Sequence, residues 1–157
     1  CRFVKNFSTR RKLDTWLIYF TALLKPLGLT EIKMIIHKLG LRKGEEKRMI
    51  SYCQGSRKII LSLSKKGIRP SHIFSLLEPL SYEEIILLRC NSQNRYLKKY
   101  IKDFLEIYNG TRTYVSGDDL HGLGILPGPR YQKIFAQVLA AKLNGQVKSR
   151  RGELALI

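Results

Sequence analysis

Apolar residues recur at three- and four-residue spacings along most of the chain, and nowhere do polar and β-branched residues alternate between hairpin turns. The pattern predicts an all-α protein. It reads as a compact bundle of short helices joined by loops of a few residues, with no fixed repeat period that would make a solenoid. Leu13, Trp16, Leu17, Phe20 and Leu24 define the inward face of a first helix over about 9–24, which the "KPLG" after it stops. Thr30 is expected to cap a second helix, with Ile32, Ile35, Ile36 and Leu39 inward and Gly40 at its end. A third runs through "EEKRMISYCQGSRKIILSLSKKG", with Gly55 as the point where it can bend. Pro70 or Ser71 opens a fourth, and Ser81 with Glu84 forms a capping box for "SYEEIILLRCN". The clearest amphipathic stretch, "QNRYLKKYIKDFLEIYNG", turns Tyr96, Ile101, Phe104, Leu105 and Tyr108 inward and Arg95, Lys98, Lys99 and Lys102 outward.

After Gly110 the texture changes. "TRTYVSGDD" is polar and turn-rich, and beyond it lie a glycine-proline hairpin "LGILPGP", the helix "RYQKIFAQVLAAKLNG" and a short closing helix "RRGELALI". We therefore place a boundary near Thr111, between a helical body over 1–110 and a helix-hairpin-helix-like tail over 111–157.

Composition sharpens the functional reading. The chain has 157 residues, 44% of them hydrophobic, which suits one domain or two small ones with a buried core. Lys and Arg number 29 against 12 Asp and Glu, a formal charge of +17. Such an excess repels itself in the compact state and points to a polyanionic partner, nucleic acid before all others. A membrane surface fits less well, because the cations spread from Arg2 to Arg151 instead of concentrating on one amphipathic helix. Charge serving heat tolerance alone would call for acids to complete ion-pair networks. Cys1, Cys53 and Cys90 lack the spacings of a disulfide frame or a zinc site; Cys53 and Cys90 read as small core residues in a protein of the reducing cytoplasm. "WLIYFTALL" is too short to cross a bilayer, and no signal peptide is expected before it. The chain opens "CRFVKNF", without Met, and reads as a piece of something longer.

Catalytic chemistry finds little support in these residues. Asp118 and Asp119 could hold a divalent ion only with further carboxylates on rigid elements, and no third acid follows nearby; an N-terminal cap and first helical turn explain them better. His37, His72 and His121 have no Cys, Ser or second His at a metal or triad spacing, and no phosphate-binding G-x-x-x-x-G-K-[ST] loop occurs. No active site, metal or cofactor is therefore expected in this chain.

Binding is better supported. In "LGILPGPRYQKI" the glycines permit close backbone approach, Pro129 stands at a first helical position, and Arg130 and Lys133 add charge to the same turn. Such a hairpin grips a nucleic-acid backbone without reading bases. Packing glycines between two helices are the alternative origin of the motif, and the two readings can both hold. Lys142, Lys148, Arg150 and Arg151 decorate the last elements, Arg112 precedes the hairpin, and Tyr114 and Tyr131 can stack on exposed bases or sugars. The candidate contacts are Gly128, Arg130, Lys133, Lys148, Arg150, Arg151 and Arg112. A free-standing helix-hairpin-helix module for duplex DNA would carry the same features.

The stretch from Tyr114 to Ile157 resembles the C-terminal end of the bacterial-type tRNA nucleotidyltransferase and poly(A) polymerase family, whose members add CCA or part of it to tRNA. The resemblance rests on G-x-D-L at Gly117, Asp119 and Leu120, L-G at Leu123 and Gly124, P-G-P at Pro127, Gly128 and Pro129, and L-x-G at Leu143 and Gly145, followed by the E-L-A-L-like close. "LDTWLIYFTALLKPLGLTEIKMIIHKLGL" is similar, more loosely, to the start of the family's helical body. The resemblance implies an all-α body and tail that hold tRNA by shape and phosphate. Mg and ATP or CTP would then belong to a catalytic head located upstream or on a separate subunit. This chain carries none of the head's G-S and D-x-D elements, nor the neck's nucleotide-selecting motif, and Asn144 replaces the family's usual Asp at what reads as an exposed turn.

Overall fold

The computed structural model describes residues 13–157. Among them it forms nine α-helices and no strand: α1 (Thr15–Leu23), α2 (Leu29–Leu39), α3 (Lys43–Leu63), α4 (Pro70–Leu77), α5 (Tyr82–Asn91), α6 (Arg95–Asp103), α7 (Gly117–Gly122), α8 (Pro129–Leu143) and α9 (Arg150–Leu154). A π-helical turn, Phe104–Tyr108, prolongs α6. The expected all-α class is what the chain adopts. None of the helices of the described residues is long and apolar enough to cross a membrane.

α5 is the axis of the body. Every residue from Glu83 to Leu88 is buried, so the helix is enclosed on all sides, by α1, α3 and α6. Its start is the expected capping box: Ser81 Oγ accepts the Glu84 N–H at 3.3 Å and Glu84 Oε2 accepts the Ser81 N–H at 2.8 Å. Burying Glu83 requires a partner, and Arg48 supplies it at 3.2 Å while also pairing with Asp14 at 2.6 Å. Around α5 the main core gathers Leu63, Ile73, Leu77, Leu97, Ile101 and Phe104; a second core joins α1, α2 and α3 through Leu17, Ile32, Ile36 and Met49. Cys53 packs against both, and burial pushes its thiol pKa up.

Several local expectations need correction. The part of the first helix placed before Leu13 lies outside the described residues, as does Cys1. Trp16 is 46% exposed and Leu39 58%, although both were expected inward. α1 meets the core along Leu17, Thr21 and Leu24, and Trp16, one step off that line, instead stacks against Phe20. Gly28, and not Thr30, is the N-cap of α2; Glu31 accepts its N–H at 2.7 Å and supplies what a capping hydroxyl would have. Cys90 is exposed, because the burial of α5 ends at Leu88. α3 continues as one helix through Gly55.

The tail has its own small core of Val115, Leu120, Ile134 and Val138, and α8 lies against α4 of the body. Asn144, expected on an exposed turn, is half-buried: its Oδ1 accepts the Ser71 N–H at 3.1 Å and ties the end of α8 to the first turn of α4.

Candidate nucleic-acid interface

Asp118 and Asp119 begin α7, as the capping reading expects. Ser116 Oγ faces the Asp119 N–H, and Asp119 Oδ2 accepts the Ser116 N–H at 2.8 Å. That backbone hydrogen bond, with Arg150 next to the same carboxylate, holds the Asp119 pKa below the ordinary 3.8. Among the described residues no group of three His, Cys, Asp or Glu lies close enough to share a metal ion. His37, His72 and His121 are exposed.

α7 leads into the hairpin. Its end closes on Gly124, whose φ of +77° is left-handed and explains the glycine there. Gly128 is a different case. It is exposed, its backbone is extended, and a Cβ added there meets no atom within 4 Å, so the fold itself does not require glycine. Packing accounts for neither Gly124 nor Gly128, since a Cβ at Gly124 also meets open space.

Gly128 is the N-cap of α8 and offers no side chain to its first turn, and Pro129 follows at the first helical position. Ile134 and Val138 turn inward, which leaves Arg130, Lys133 and Gln137 as an outward stripe at three- and four-residue spacing. Among the described residues Arg130 and Lys133 form no ion pair. The hairpin end thus presents a helix N-terminus with no side-chain cap, two exposed cations that pair with no described acid, and a backbone without a shielding side chain, a combination suited to a phosphate.

The remaining candidates divide. Lys148 and Arg151 are exposed and form no ion pair among the described residues. Arg150 pairs with Asp119 at 2.5 Å while its side chain stays 61% exposed, so it ties α9 to α7. Arg112 is exposed, but its carbonyl accepts Lys142 Nζ at 2.6 Å. That places its backbone by Lys142, about 18 Å along α8 from Arg130 at 1.5 Å per residue, away from the hairpin end. Tyr131 is a structural residue: its hydroxyl donates to the Ile125 carbonyl at 3.0 Å and its ring meets Phe135 edge-on. Tyr114 is 56% exposed, with Lys142 Nζ over one face at 3.2 Å from the ring centroid.

Sequence reasoning missed the centre of this arrangement. Glu153 is fully buried; its Oε2 accepts the Tyr114 and Val115 N–H groups at 2.6 and 3.0 Å, and its Oε1 forms an ion pair with Lys142 at 3.0 Å. Burial is the largest influence on Glu153 and pushes its pKa up, but Lys142 and the two amides outweigh it and leave it below the ordinary 4.5. Lys142 therefore holds the segment before α7 and the last helix together, and is not a free surface cation. The available signal was a lone acid in a basic segment.

The described residues thus define an all-α, strongly basic protein whose tail displays a cationic hairpin end. The chain is similar to an A-adding tRNA nucleotidyltransferase of Geobacter sulfurreducens, 27% identical over 150 residues; the match covers 92% of this chain and 17% of that protein. It spans about a sixth of that relative's length. No protein-family description matches the chain. No solved structure matches it either.

Proposed function

We propose that this chain is the tRNA-holding body and tail of a tRNA nucleotidyltransferase, which positions tRNA so that a catalytic head elsewhere extends the 3′ end with A or CCA. In this reading the head supplies Mg and binds ATP or CTP, the chain by itself is inert, the setting is the cytoplasm, and 111–157 acts as the RNA-contacting unit on a body of 1–110. The observation that carries it is the hairpin end of α8: Gly128 is exposed where no packing asks for glycine, beside Arg130 and Lys133, which pair with no acid among the described residues. The similarity to an A-adding enzyme across nearly the whole chain supports tRNA as the polyanion.

The test is a trio of single variants. Gly128→Val, Arg130→Ala and Lys133→Ala should each leave the melting temperature unchanged and weaken tRNA binding, the two charge variants also lowering the salt slope of log K by about 0.7 to 0.9 per lost contact. Unchanged affinity and slope in all three, with the helices intact, rejects the hairpin as the contact.

A further inference from the structure

A second cationic surface lies where the tail meets the body, at the other end of α8 from the hairpin. Two hollows adjoin there. One, of 350 Å³, is lined by Ser62, Lys65, Ile68, Arg69 and His72; the other, of 320 Å³, shares Arg69 and adds Pro70, Asn144 and Gln146. No acid among the described residues lines either. Lys65, Arg69, His72 and Gln146 are exposed, and Lys65 and Arg69 form no ion pair among the described residues.

The turn that carries these cations is fixed to the body. "KKGIR" at 65–69 joins α3 to α4, and the Tyr100 hydroxyl of α6 fastens it at two points, donating to the Lys65 carbonyl at 3.1 Å and accepting the Ile68 N–H at 3.4 Å. Gly67 makes the bend in left-handed backbone, at φ +78°. A ligand therefore meets cations on a backbone already in place, with little ordering left to do. Free amides at the start of α4 contribute nothing here: Asn144 Oδ1 accepts the Ser71 N–H at 3.1 Å and the Arg69 carbonyl accepts the His72 N–H at 3.0 Å. The charge is that of the side chains.

Their chemistry narrows the ligand. Lys65 and Arg69 can only donate, and Ser62, His72 and the Gln146 amide can donate beside them. Donors with no competing carboxylate select an anion, and Arg69, common to both hollows, can fork onto two oxygens of one phosphate. Exposed cations leave a lone phosphate ion largely in water, whereas a phosphodiester backbone that crosses the junction sets charge in both hollows. We propose that the α3–α4 turn binds the phosphate backbone of RNA as a second contact, made by Lys65, Arg69 and His72 of the body with Gln146 of the tail. Asn144, at this junction, is 14 residues from Arg130, about 21 Å along α8 at about 1.5 Å per residue, so an RNA that touches both ends must span that distance. The inference rests on the reading of the chain as RNA-holding, but not on the hairpin.

The test is tRNA binding by the 157-residue chain and its variants across a salt series, with the melting temperature as the folding control. Lys65→Ala with Arg69→Ala should weaken binding at least about tenfold and lower the salt slope of log K by about 0.7 to 0.9 per lost contact. Asn144→Asp keeps an acceptor on the Ser71 N–H but sets a carboxylate in the hollow it shares with Arg69; it should weaken binding several-fold without lowering the melting temperature. Lys33→Ala with Lys38→Ala removes equal charge from exposed positions of α2 and should leave the slope unchanged. Added to Arg130→Ala, the junction losses should be additive, as for separate contacts. An unchanged slope in the Lys65–Arg69 variant, or an equal loss from the α2 pair, overturns the junction site and leaves the hairpin to be judged by its own variants. Polyglutamate that binds as tightly as tRNA and loses as much in the same variant would assign the surface to an acidic protein and overturn the proposal. Absence of RNA binding by the unaltered chain overturns both this site and the RNA-holding reading.

Discussion

Glu153 shows what one side chain does for the tail. It is fully buried and fastens three segments, through Lys142 on α8, the amides of Tyr114 and Val115, and its own helix α9. Removing one member of a buried ion pair costs about 3–5 kcal/mol, so Glu153→Ala should lower stability by an amount in that range in urea unfolding, with Lys142→Met close behind. The sign of the pH effect follows from its lowered pKa. A carboxylate held below its unfolded value stabilises the fold above that value and loses the contribution as pH falls through the folded pKa. The melting temperature should therefore decline as pH drops below about 4.5, and Glu153→Gln should flatten that decline; an identical pH profile in the variant contradicts the role given to Glu153. The glycines separate at the same scale. Gly124→Ala forces an alanine into left-handed backbone and should cost about 1–2 kcal/mol, whereas Gly128→Ala should cost nothing measurable in the same unfolding series.

Helices illustrate how far the residue pattern reaches. The Ser81–Glu84 box was legible because both partners lie within one turn, and Ser81→Ala should destabilise by about 1 kcal/mol in thermal or urea melts. Gly40 ends α2 in left-handed backbone as its position predicts, and the expected inward faces hold at Ile32 and Ile36 of α2, Ile101 of α6, and Phe104 and Leu105 of the π-helical turn. The misreadings concern what an apolar residue packs against. Trp16 and Leu39 satisfy helical spacing, but spacing defines a stripe wider than the strip a neighbour covers. The Arg48–Glu83 and Lys142–Glu153 pairs lie outside any local pattern, since each joins helices distant in the chain. The hairpin was legible in its glycines and prolines; the open space around Gly128, which shows that packing does not require glycine there, exists only once the fold is formed.

At the scale of the whole molecule, a chain of formal charge +17 places its acids chiefly where they cap helices or pair internally. Glu31, Glu84 and Asp119 cap helices, while Asp14, Glu83 and Glu153 pair with Arg48 or Lys142. The outward charge is left strongly positive, and the α4–α8 packing with the Ser71–Asn144 tie carries the tail's cations on the body. Long-range attraction of a polyanion follows from the charge alone, but choice among polyanions must come from shape. The most direct test is competition binding of the chain to folded tRNA, heat-unfolded tRNA and duplex DNA of equal length across a series of salt concentrations. A steep salt dependence is expected for all three, with a clear preference for folded tRNA that persists as salt rises. Equal or tighter binding to duplex DNA would contradict it and identify the tail as a general helix-hairpin-helix grip.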